Sequence, residues 1–71
     1  MKSFSPTHSS TVAHVKYDEK RKEMEVEFKS GHRYLVPDVS EADYTSFEKA
    51  PSHGTHYHTR IRNNFAIRKL A

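Results

Sequence analysis

A chain of 71 residues, 34% hydrophobic and 30% charged, holds one small domain with a thin core, since a domain of this size buries only about 60% of the surface its unfolded chain exposes. The absence of Cys excludes disulfides and thiolate metal sites, and two glycines (Gly31 and Gly54) are too few for a dinucleotide-binding or P-loop unit. The net charge of +3 is unevenly placed: residues 1–48 carry all nine acids against seven Lys and Arg, whereas residues 49–71 carry five bases, no acid and three of the six histidines.

Residues 1–10 are polar and interrupted by Pro6, and are expected to form a flexible N-terminal arm with Phe4 as an anchor. The single folded domain is expected over residues 11–71. From Val12 to Asp18 the chain alternates, with Ala13, Val15 and Tyr17 on one face and His14 and Lys16 on the other, the signature of a half-buried strand. A charged turn follows over residues 18–22. Met24, Val26 and Phe28 then alternate with Glu23, Glu25 and Glu27, giving a second strand with a row of carboxylates outward. Ser30-Gly31 supplies a turn, and residues 32–36 form a third strand that Pro37 ends.

Residues 40–50 are expected to be helical. Ser40 is a suitable N-cap, Glu41 and Asp43 suit the positive helix start, and Tyr44 and Phe47 form a narrow apolar stripe. Thr55 is expected to cap a second helix reaching about Asn63. Its Tyr57 and Ile61 would face the core, and its His58 and Arg62 would share a neighbouring face. Asn63-Asn64 suits a left-handed helix end, and residues 65–70 form a last strand that adds to an edge of the sheet. The fold class is therefore α+β, a small antiparallel β-meander packed with two short helices and a C-terminal strand, in the order β-β-β-α-α-β.

These residues resemble the KTSC domain, a small module found at the C-terminus of some lysyl-tRNA synthetases and as a free-standing protein in bacteria and phages. The matching residues begin with Val15, Tyr17 and Asp18, then Met24, Val26 and Phe28 leading to Gly31 and Tyr34. Val39 and Tyr44 follow, then Phe47 with Ala50-Pro51-Ser52-x-Gly54, and last Tyr57-His58-x-x-Ile61-Arg62-x-x-Phe65. The resemblance covers about residues 9–70. Ser40 stands where the family pattern has Pro, and His58 where it has Asn. The resemblance implies a compact αβ fold without catalytic residues. The attachment to a synthetase implies RNA or an RNA-handling machine as partner.

No chemistry-bearing constellation is complete. His53, His56 and His58 have no i, i+4 pair among them and no carboxylate within their segment, so no metal site and no cofactor are expected. No G-x-S-x-G turn is present, and Glu23, Glu25 and Glu27 suit a solvated strand face rather than an acid–base pair. The protein is expected to bind rather than catalyse, as a monomer. The residues expected to form one contiguous partner-binding surface are Arg60, Arg62, Arg68 and Lys69, with His56 and His58 nearby. The preferred partner is a protein complex of transcription or translation, with RNA polymerase as the leading candidate. The acidic strand face ranks direct RNA or tRNA binding second, because it would repel a wrapped phosphate backbone. No apolar run nears the roughly 20 residues of a membrane span and no signal-peptide core is present, so a cytoplasmic location in a bacterium or phage-infected host is expected. Six histidines, three of them in the basic segment, predict that affinity for an anionic partner rises as pH falls. A calorimetric titration across pH checks this, and a flat profile would count against a histidine-rich contact face.

Overall fold

The computed structural model describes residues 2–7 and 9–70; Met1 and His8 of the expected arm, and Ala71, lie outside the described residues. Alternation dominates the architecture. Strands β1 (Lys2–Phe4), β2 (Val12–Asp18), β3 (Glu23–Phe28), β4 (Arg33–Val36) and β5 (Arg68–Lys69) form one antiparallel sheet in the order β1-β2-β3-β4-β5. Helices α1 (Glu41–Glu48) and α2 (His53–His56) lie between β4 and β5 in the chain. The fold is α+β, as expected, with one strand more than the sequence reading assigned.

That extra strand is the N-terminal segment. Lys2, Ser3 and Phe4 pair with Tyr17, Lys16 and Val15. Phe4 explains why a polar segment orders here: its ring lies 5.7 Å from both Tyr44 and Phe47. Lys2 Nζ also donates to Glu41 Oε2 at 2.6 Å, tying the strand to α1, and each partner stabilises the charged form of the other. Both side chains are exposed, so this pair orients the strand more than it stabilises it.

Val12, Val15 and Tyr17 of β2 meet Phe28, Val26 and Met24 of β3 on the covered face. The expected alternation fails at Ala13. A shift in register between Val12 and His14 leaves Ala13 as the extra residue, so Val12 rather than Ala13 joins Val15 in the core. The turn after β2 is nucleated by Asp18, whose Oδ1 accepts from the N–H groups of Lys20 and Arg21. Lys22 closes this turn at a positive φ of 55°, and its carbonyl accepts from Val39 N–H at 2.8 Å.

Ser40 caps α1 as expected, its Oγ accepting from Asp43 N–H at 3.1 Å. The second helix starts earlier than expected, because Ser52 rather than Thr55 is its N-cap. After one α-turn it widens into a π-helical turn over Tyr57–Ile61, closed by Arg62 N–H to Tyr57 O at 2.8 Å. Tyr57 and Ile61 are both buried, as their spacing predicts. Asn63 and Asn64 do not take the left-handed conformation; their side-chain amides donate back to the carbonyls of His58 and Arg60. The last strand is shorter than expected, two residues paired with Tyr34 and Leu35 of β4.

Two tyrosines stack at the centre, the rings of Tyr17 and Tyr44 being 4.8 Å apart and 12° from parallel. Tyr17 donates its hydroxyl to Val39 O at 2.5 Å, whereas the buried Tyr44 hydroxyl has no hydrogen-bond partner among the described residues. Opposite outcomes are expected on removing the two hydroxyls. Tyr17→Phe orphans a buried carbonyl and destabilises by about 1–3 kcal/mol, while Tyr44→Phe is neutral or stabilising by up to about 1 kcal/mol. Denaturation midpoints of the two variants measure the difference.

Candidate functional site

Where the sheet's covered face meets the widened turn after α2, a cleft of about 600 Å³ lies between that turn and the β3–β4 hairpin. Aromatic rings make its floor. Tyr57 and Phe28 meet edge-on at 4.9 Å, and Tyr34 meets Phe28 edge-on at 5.5 Å. Phe65 and Ile67, both half-buried, complete the apolar wall on the way to β5. Burial raises the Tyr57 hydroxyl above its ordinary pKa, with the Tyr34 hydroxyl adding to the shift, which keeps it neutral and able to donate.

The rim is cationic. Lys29 and His32 come from the β3–β4 turn, and His58 and Arg62 from the widened helix. Among the described residues no carboxylate lines the cleft. The turn is held in place by Lys29 N–H donating to Thr11 O at 2.8 Å and by Gly31, whose φ of 98° needs a residue without a Cβ.

The six residues expected to form one contiguous surface do not do so. His58 and Arg62 share the cleft, as their i, i+4 spacing predicts. Lys69 stands opposite Tyr34, at the cleft side of the sheet's edge but outside the cleft lining. Arg68 stands opposite Leu35 and so projects from the other face, because successive strand residues point to opposite sides. Arg60 lies beside His56, whose charged form it disfavours, away from the cleft. His56 itself is half-buried, its ring stacked on Phe47 at 5.3 Å and 17°. Its neighbour His53 bonds the carbonyl of Glu48 and packs on Phe4 and Phe47. Two of the three histidines in the basic segment are thus packing residues. No group of three metal-ligating side chains comes together among the described residues.

Lys29 and His32 escaped the sequence reading because they lie outside the basic segment. The available signal was their place in a turn flanked by Phe28 and Tyr34, two aromatics that face the core side. The carboxylate row also has a different environment from the one expected. Glu23, Glu25 and Glu27 are half-buried on the uncovered face of the sheet, Glu23 opposite Asp18 and the other two beside bases. Glu25 stands opposite Lys16, Glu27 opposite Arg33, and Arg33 Nη1 lies 3.8 Å from Glu25 Oε2.

A single antiparallel sheet backed by helices on one face, with a cation-rimmed aromatic cleft at one end, defines a small single-sheet α+β domain. The KTSC domain matches residues 8–65, and the chain belongs to that family. It is similar to the crystal structure of a KTSC domain protein from Yersinia pestis, with a TM-score of 0.83 at 26% sequence identity, over 99% of this chain and 100% of that one. No curated protein matches the sequence. Among the described residues no helix is long and apolar enough to cross a membrane.

Burial lowers the pKa of His56, with Arg60 and then His53 adding to the shift and Asp43 opposing it. The folded protein therefore binds fewer protons than the unfolded chain once pH drops below about 6.5. Stability is expected to be complete above that value and to decline as pH falls through the range below it. His56→Gln should flatten this decline, read as melting temperature against pH.

Proposed function

We propose that this domain is a non-catalytic, cytoplasmic binding module that holds single-stranded RNA in the cleft between the β3–β4 turn and the π-helical turn. The observation that carries this reading is the cleft's composition: Lys29, Arg62, His32 and His58 around Phe28, Tyr34 and Phe65, with no carboxylate among the described lining residues. Single-strand recognition joins flat apolar platforms for bases with cations for the phosphates between them. The acids that argued against a phosphate partner project from the opposite face of the sheet and are offset by Lys16 and Arg33. That removes the reason for ranking RNA second.

A second reading, docking on a protein machine such as RNA polymerase, draws on the open outer edges of β1 and β5. Partners add strands at such edges. Purified polymerase retained by the Lys29→Ala/Arg62→Ala double variant as well as by the parent protein would favour it.

The RNA reading is tested by fluorescence anisotropy with a labelled oligouridylate across a salt series. Each phosphate contact contributes about −0.7 to the slope of log affinity against log salt. Lys29→Ala and Arg62→Ala should each weaken binding and flatten that slope by about 0.7. Arg60→Ala and Arg68→Ala, which alter charges away from the cleft, should leave the slope unchanged. Equal effects from all four would sink the assignment of the cleft.

A further inference from the structure

A second groove, of about 700 Å³, runs between the N-terminal segment and α2. Ser10, Thr11 and His58 line both it and the cationic cleft, so the two are continuous past His58. Their chemistry differs. The second groove is rich in hydroxyls, its lining contains no Lys or Arg among the described residues, and it carries the carboxylate of Glu48. Apart from Glu48, His53 and His58, the polar side chains of its described lining are neutral hydroxyls that both donate and accept hydrogen bonds.

Several of its hydroxyls are already engaged. Ser5 Oγ and His14 Nδ1 are 2.6 Å apart, Ser9 Oγ accepts from Val12 N–H at 2.9 Å, and Ser52 Oγ donates to Thr55 Oγ1 at 3.1 Å. The hydroxyls of Thr7, Ser10 and Thr11 have no protein partner among the described residues. Thr11 sits close to α2 because Gly54 faces it: a Cβ on Gly54 would stand 3.2 Å from Thr11 Oγ1. The junction between the grooves is therefore set by a close approach, with free hydroxyls on its floor.

We propose that one RNA strand threads both grooves. A base and its phosphate are held in the cationic cleft by the aromatic wall, Arg62 and Lys29, and the adjoining riboses lie in the hydroxyl-lined groove. There Thr7, Ser10 and Thr11 bond the 2′-hydroxyl, the group that is both donor and acceptor and that DNA lacks. The inference rests on the RNA reading above and adds to it the length of the ligand and a preference for ribose.

Calorimetry on the full chain with three probes tests it: uridine monophosphate, a short oligouridylate, and the 2′-deoxy form of that oligonucleotide. The oligouridylate should bind roughly tenfold more tightly than its deoxy counterpart, the equivalent of one or two net hydrogen bonds. Thr7→Val, which removes a hydroxyl at nearly constant shape, should cut that preference several-fold and leave the monophosphate unaffected. Thr7→Ser should retain the preference. If ribose and deoxyribose oligonucleotides bind equally, or if Thr7→Val leaves their ratio unchanged, the threading proposal is overturned. Should Arg62→Ala still weaken all three probes in that case, the cleft assignment survives alone. Failure of every probe to bind overturns both.

Discussion

Everything in this structure follows from covering one face of a five-stranded sheet and leaving the other bare. Val12, Val15, Tyr17, Met24, Val26 and Phe28 leave water on the covered side, against Tyr44, Phe47, Tyr57 and Ile61. A chain this short has no second layer to offer. The residues between them in β2 and β3 must then face solvent, and they are polar and charged rather than an apolar back: Lys16 faces Glu25 and Arg33 faces Glu27, while Asp18 faces Glu23. The same division by faces separates Arg68 from Lys69 and sets the acids of β3 apart from the cleft.

The helices complete the cover unevenly, and the candidate site arises where the cover stops. Around Phe47 the packing is dense: Phe4, His53 and His56 all place rings within 6 Å of it. At the other end the helix widens by one residue per hydrogen-bonded turn, and such π-turns recur at functional positions. Tyr57 and Ile61 stay buried while His58 and Arg62 reach the rim. Tyr57 packs edge-on against Phe28 and lies 6.4 Å from Tyr34, so these rings form the cleft's floor rather than a closed core.

Strands β2, β3 and β4 were legible in the sequence because alternation over four or more residues reports directly on which side is buried. The cap at Ser40 was legible for the same local reason. What escaped depended on contacts distant in sequence. Lys2–Phe4 has no alternation to read, and it is a strand because Phe4 finds Tyr44 and Phe47, some forty residues on. The bulge at Ala13 is a register correction that no periodicity announces. For the site, helix spacing brought His58 and Arg62 together correctly. The larger expectation of a single basic surface failed because charge density along a chain does not say which way each side chain points. Lys29 and His32 reach the cleft only through the β3–β4 hairpin, so a count of charges by segment could not include them.

The segregation of charge by face also changes which partner fits. Counted along the sequence, nine acids oppose a phosphate ligand; counted by face, the acids of β3 lie across the sheet from Lys29 and Arg62. Interactions between exposed charges fade over about 8–10 Å at physiological ionic strength. The field in the cleft is therefore set by the four groups on its rim, and the net charge of the whole molecule has little bearing on it. A small domain can in this way carry nearly balanced charge and still present a one-signed site, provided that its acids are kept away from that site.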